Sequence, residues 1–195
     1  ISRSSGGNIN GFDNTLFNLG KIKTKGIDFG ISWLGNATSV GTFGASLSAT
    51  KVTSYEAIAT DSGLTEPRVV GVEVNDSAIP DWRATARLNW SIGDVNVSWS
   101  ARYISDLTES CDTLAGFDNC SNATAGTNHL GATTFHDLRA SWKLPTDLNI
   151  VIAGGVNNIT SKSPPICQSC SLNGYDASTY DLPGRYSYVE ASFKF

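Results

Sequence analysis

The chain has 195 residues, 40% apolar and 16% charged, with 19 glycines, no methionine and a net charge of −4 from 14 basic and 18 acidic side chains. That length suits one domain, and the scattered charge offers no basic stripe to track a phosphate backbone, so nucleic acid is not an expected partner. No run approaches the roughly 18–20 apolar residues of a transmembrane helix. Ile1-Ser2-Arg3 lacks the charged and apolar segments of a signal peptide, and without methionine the chain reads as processed or truncated.

The informative pattern is period-two alternation, met repeatedly in chain order. Ile27, Phe29, Ile31 and Trp33 alternate with Asp28, Gly30 and Ser32, and Phe43, Ala45, Leu47 and Ala49 alternate with Gly44, Ser46, Ser48 and Thr50. Trp82, Ala84, Ala86, Leu88, Trp90 and Ile92 then share one face of an extended segment whose other face carries Arg83, Thr85, Arg87, Asn89 and Ser91. A helix would scatter those two arginines among the tryptophans. After Gly93-Asp94, a two-residue hairpin turn, Val95, Val97, Trp99, Ala101 and Tyr103 oppose Asn96, Ser98, Ser100 and Arg102. Leu138, Ala140, Trp142 and Leu144 oppose Asp137, Arg139, Ser141 and Lys143. Beyond Pro145-Thr146-Asp147, Leu148, Ile150 and Ile152 oppose Asn149, although Val151 and Ala153 weaken the alternation. The last segment starts near Arg185, with Val189, Ala191, Phe193 and Phe195 opposite Tyr188, Glu190, Ser192 and Lys194. The fold class is all-β, with about seven meandering antiparallel strands of roughly 10–14 residues.

Strand length and loop length together favour a transmembrane β-barrel segment. Soluble strands usually run about 5–6 residues, whereas a tilted membrane strand needs about 9–11 within hydrocarbon. The connections alternate: a short turn at Gly35 to Gly41, a long loop near Glu56 to Pro80, Gly93-Asp94, a loop from Asp106 to Gly131, Pro145 to Asp147, and a loop from Thr160 to Pro183. Short periplasmic turns and long extracellular loops are the layout of outer-membrane barrels. All five tryptophans fall on apolar faces, as interfacial aromatic girdles require. The competing fold is a soluble extracellular β-sandwich used for binding or adhesion. A sandwich core needs bulky residues that interlock, yet these apolar faces mix alanine and glycine with tryptophan, a relief that lipid accommodates.

In a barrel, Asp28, Arg83, Arg87, Arg102, Arg139 and Glu190 line the lumen, where they keep the interior wet or contact a solute. Phe117, Asp118, Tyr175, Asp176 and Tyr180 are candidate ligand contacts because long loops on a rigid scaffold often carry binding. Cys111/Cys120 and Cys167/Cys170 are spaced for disulfides formed in an oxidising compartment, with exchange between the pairs left open. A lone Cys167-Gln168-Ser169-Cys170 has neither the second pair nor the histidines of a zinc site, nor the βαβ context of a thioredoxin-like motif. His136 falls on the apolar register and Asp137 on the other, which argues against a catalytic Asp–His pair, and no nucleophile elbow, metal motif or phosphate loop is present. No enzyme activity and no cofactor are expected.

Several stretches resemble TonB-dependent receptors. Asn18-Leu19-Gly20 followed by Lys25-Gly26-Ile27-Asp28-Phe29 is similar to a strand opener of that family, and Pro80-Asp81-Trp82-Arg83 to its next descending strand. Asp137, then Gly155-Val156-Asn157-Asn158-Ile159 with Pro164-Pro165, and finally Tyr180-Asp181-Leu182-Pro183-Gly184-Arg185-Tyr186 with terminal Phe195, follow in the family's order. The resemblance implies that residues 1–195 form a single C-terminal portion of a larger barrel, whose plug domain and TonB-contacting segment are not found here. It implies uptake of a nutrient such as a siderophore complex or a carbohydrate, with lipid, the plug and the remaining strands as partners. Ala191, Phe193 and Phe195 resemble the terminal signal read by the barrel assembly machinery. A passive outer-membrane pore is the remaining membrane alternative.

Overall fold

The computed structural model describes the chain except residues 1, 4, 12–19, 60–64, 67–69, 74–75, 111–119, 123, 147 and 194–195. Seven long strands form it: β1 (Gly20–Leu34), β2 (Thr42–Ala59), β3 (Trp82–Ile92), β4 (Val95–Ile104), β5 (Thr133–Lys143), β6 (Val151–Asn157) and β7 (Tyr186–Ser192). Each pairs antiparallel with its neighbours in sequence, a meander from β1 to β7, with the two-residue strand Thr65–Glu66 added to the far end of β2. The sheet is open: β1 and β7 do not pair with each other.

The alternation in the sequence sets the register. Phe29, Ala49, Ala84 and Tyr103 form one cross-strand row, and Trp33, Ala45, Leu88, Trp99 and Leu138 another. Apolar residues therefore share one face and polar residues the other, because successive side chains point to opposite sides of the pleat. The apolar face is uncovered: Ile27, Phe29, Ile31, Trp33, Leu88, Trp142 and Val189 are all exposed. No second sheet packs on it among the described residues, and monomeric soluble proteins rarely leave so large an apolar patch open. Aromatic side chains cluster at both ends of this face. Trp33, Phe43, Trp90 and Trp142 lie near the turns, Trp90 Nε1 donating to Val40 O at 2.8 Å. Trp82 and Tyr103 lie near the loops, with Lys51 Nζ 5.2 Å from the centre of the Trp82 ring. Trp82 and Trp90 stand eight positions apart, about 27 Å along the strand and a little over 20 Å after a tilt of about 40°.

One strand differs from expectation. The sixth strand starts at Val151 rather than Leu148, because Asn149 adopts φ +47° and turns the chain before the extended run begins. Its alternation is weak because its polar-face positions include Ala153 and Gly155, with the Tyr188 side chain folded over Gly155. At the β3–β4 turn Gly93 takes φ +53°, a conformation a side chain would strain.

The buried core lies at one end of the sheet, where the ends of β4 and β5 meet the long connections. Ile104, Leu107, Leu130, Phe135, Cys167, Cys170 and Tyr180 pack together with Ala78, so three long connections (60–81, 105–132 and 158–185) contribute to one cap at the same end of the sheet. Its frame is a small sheet in which Leu107–Ser110 pairs antiparallel with Thr127–Leu130 and parallel with Val72–Glu73.

Candidate ligand-binding site

The site begins with Arg102 on the polar face of β4. Its Nε donates to Asp137 Oδ2 at 2.8 Å and one of its terminal nitrogens to Asp137 Oδ1 at 3.2 Å, a forked pair across the β4–β5 ladder. Its other terminal nitrogen reaches Asp181 in the third long connection. The Phe135 ring lies 5.4 Å from the guanidinium carbon. Asp137 also accepts from the Asn158 amide at 2.8 Å and the Ser100 hydroxyl at 3.4 Å. Asn158 in turn accepts from Lys162 N and donates to Lys162 O, each at 2.8 Å, which shapes the exit from β6. One arginine thus ties the wall to the connection that overhangs it.

The cap is held by three buried carboxylates. Glu109, 0% exposed, sits inside the Cys167–Cys170 loop. It accepts from the Ser169 amide and from Asn128 Nδ2, the latter at 3.0 Å. Burial pushes its carboxyl pKa up, but the amides of Ser169 and Gln168 and the Asn128 side chain outweigh that and hold it below its ordinary value. Glu73 is 2% exposed and Asp176 1%, and their carboxyl groups hydrogen-bond each other across two connections. Burial, followed by the bond to Asp176 and its charge, pushes Glu73 up to about 7. Asp176 stays below its ordinary value despite burial, because Thr179 and Ser178 donate to it. Glu73 Oε2 and Asp176 Oδ2 are otherwise without partners, and one proton shared between them satisfies both. The Tyr180 hydroxyl is buried beside this pair and pushed up to about 12, first by burial and then by the negative charges of Asp176 and Glu73.

Where the polar face meets the cap there is a pocket of about 410 Å³. Its floor is Ser48, Thr50, Arg83, Thr85 and Arg102, and its overhang is Ser178 to Asp181. A second hollow of about 420 Å³, lined by Gly30, Ser32, Ser46 and Arg87, continues it toward the turns, and the two share Ser48 and Thr85. Hydroxyls and guanidinium groups dominate this lining. It can hold a solute through many hydrogen bonds and has no acid–base–nucleophile arrangement.

The six charged residues expected on one face are all found there. Arg139 pairs with Glu190 at 3.4 Å, and Asp28 accepts from the Thr50 hydroxyl at 2.6 Å. Of the loop positions, Tyr180 borders the pocket but is buried in the cap core. Tyr175 bridges to Leu172 away from the pocket. Asp176 is too buried for a solute to reach, so the expected ligand contact is instead a brace for its own turn and for Glu73. Phe117 and Asp118 lie outside the described residues. Cys167 and Cys170 are bonded to each other, and Cys120 is also disulfide-bonded, while Cys111 lies outside the described residues. Ala191 pairs with Ile152 and Phe193 is exposed just beyond β7, while Phe195 again lies outside the described residues. His136 stacks on Trp99 at 5.5 Å on the apolar face, and His129, not His136, approaches an aspartate, with Nδ1 3.9 Å from Asp106. Ligand atoms of Glu73, Cys167 and Cys170 lie within 4.8 Å of one another, but a disulfide leaves no thiolate for a metal.

Nothing in the residue pattern marks Glu73, Glu109, Asn128 or the Asp181–Arg102 contact as parts of a site. Their burial or pairing arises where connections meet, and no periodicity marks it.

A family model described as TonB dependent receptor-like, beta-barrel, matches residues 1–159, through the end of β6. The chain belongs to the TonB-dependent receptor β-barrel family. No curated protein and no solved structure matches it. The family is one of outer-membrane receptors and transporters and not of enzymes. The open seven-stranded sheet is consistent with part of such a receptor barrel. Three residues within the receptor-like motifs meet at Arg102: Asp137 and Asp181 accept from it, and Asn158 donates to Asp137.

Proposed function

We propose that the chain is the C-terminal part of the barrel of an outer-membrane receptor that takes up a bulky nutrient in a TonB-coupled step. The observation that carries this is the division of one sheet into an uncovered apolar face and a polar face with a capped pocket. The apolar face suits lipid, and the polar face suits a lumen. The three long connections lie outside the cell and present the pocket, and the short turns face the periplasm. A plug and the remaining strands complete the barrel, and TonB acts through the plug. Ala191, Phe193 and Phe195 serve barrel assembly. The solute is a siderophore complex, a carbohydrate or a similar molecule, and the receptor uses no resident cofactor.

Uptake of labelled solutes by cells producing the complete receptor tests this reading. Uptake that stops on deleting TonB or collapsing the proton gradient supports it. Uptake that is linear in solute concentration and indifferent to both treatments identifies a passive pore instead.

A further inference from the structure

The polar face carries more positive charge than its own carboxylates neutralise. Arg102 is engaged by Asp137 and Asp181, and Arg139 by Glu190. Arg83 and Arg87 are exposed and make no ion pair or hydrogen bond among the described residues. Asp28, the remaining acid on this face, is held by Thr50 two strands from Arg83, roughly 10 Å away across wet space. The two arginines stand four positions apart on one strand, so their Cα atoms lie about 13 Å apart on the same face. Arg83 lines the upper pocket and Arg87 the lower one.

Between and beside them lies a field of small polar groups. Ser46 pairs with both Ser32 and Arg87, Ser48 with Gly30 and Thr85, and Thr50 with Arg83. The Gly30 position leaves open space, since a Cβ there would meet nothing within 4 Å. The result is a continuous trough with a guanidinium near each end and hydroxyls along its floor.

We propose that this trough binds an elongated, hydroxyl-rich solute carrying carboxylate groups, of the acidic oligosaccharide kind, with Arg83 and Arg87 each holding one carboxylate. This deepens the receptor reading and rests on it. The planar fork of arginine matches a carboxylate bidentately, and serine and threonine hydroxyls exchange hydrogen bonds with sugar hydroxyls in either sense. A neutral sugar of the same length leaves both cations uncompensated, and a compact polyanion leaves the hydroxyl field unused.

Calorimetric titration of the complete receptor in detergent, with a uronic-acid tetramer and a neutral hexose tetramer as probes, tests the assignment. The acidic probe should bind at least about tenfold more tightly and lose affinity with added salt. Arg83→Gln and Arg87→Gln should each weaken it by about tenfold, with Arg83→Lys intermediate, and should each narrow its advantage over the neutral probe. Heat-modifiable migration on gels checks that each variant is folded. Equal binding of the two probes, or unchanged affinity in both variants, overturns the proposal. So does destabilisation of the variants with no probe binding, which assigns the arginines to an internal partner such as the plug. TonB-dependent uptake of a neutral solute alongside such a failure leaves the receptor reading standing.

Discussion

Arg102 illustrates how much a single side chain on a wet wall can organise. Its side chain is about one-third exposed and that of Asp181 more than half, so solvent screening limits each pair. Arg102→Ala should destabilise the β4–β5 end of the barrel by about 1–2 kcal/mol, less than the loss of a fully buried pair. It should also raise the protease sensitivity of residues 158–185, and a variant protected as well as the parent would show that the tie to Asp181 has no mechanical role. The Glu73–Asp176 pair makes a second prediction. Glu73 is raised from 4.5 to about 7 in the folded cap, so the cap binds a proton that the unfolded chain releases. This contribution is fully present below about 4.5, declines as pH rises, and is lost once pH has passed about 7. Asp176 acts oppositely, its lowered value favouring the cap above its ordinary carboxylate range. Hydrogen-exchange protection of residues 72–73, 76–79 and 171–180, relative to the intrinsic exchange rate at each pH, should therefore fall between pH 5 and 8. Glu73→Gln, neutral throughout and able to donate to Asp176, should flatten that dependence, and an unchanged slope would sink the shared-proton account. Arg83, Arg87 and Arg102 were legible as polar-face residues because alternation assigns every side chain to a face. Glu73 and Glu109 were not, since an isolated acid in a connection is normally solvated.

Among the elements, β1 to β5 were legible from period-two patterning alone, because both faces differ strongly in polarity. The sixth strand was misjudged at its start for want of any sign that Asn149 would leave the extended region. The cap's strands of two to four residues were invisible in the sequence, being too short to show a period. In the β5–β6–β7 ladder, Gly155 is where sequence and packing meet. A Cβ there would stand 2.6 Å from the Tyr188 hydroxyl oxygen and 2.8 Å from Leu138 O, and only the tyrosine can swing away. Gly155→Val should cost about 1–3 kcal/mol through this overpacking. It should also lower the temperature at which the barrel loses its heat-modifiable gel migration. A variant as stable as the parent would mean that β6 shifts freely against β5.

For the whole molecule, the decisive measurement is which face of β3 meets hydrocarbon. Spin labels at Leu88 and Trp90, placed in the complete receptor with native cysteines removed and reconstituted in bilayers, should report lipid, and labels at Arg87 and Asn89 water. Water at all four positions would return the chain to the soluble alternatives. Overall architecture was legible because strand length and loop alternation are set by the bilayer itself, whereas the pocket depends on how the third connection folds back over the wall. The strict pleat also constrains how a gene for this chain can drift. Inserting one codon within Ala84 to Leu88 would turn everything beyond it over, presenting Arg87 to lipid at a cost of about 2–4 kcal/mol near the midplane. Strand lengths should therefore change by two residues at a time, while stretches outside the cap's buried positions accept any number. The one register irregularity among the long strands, between Lys25 and Gly26 opposite Val52 and Ser54, lies beyond the Trp82 row at the loop end. An odd residue has been kept there, past the reach of the band where it would invert the wall.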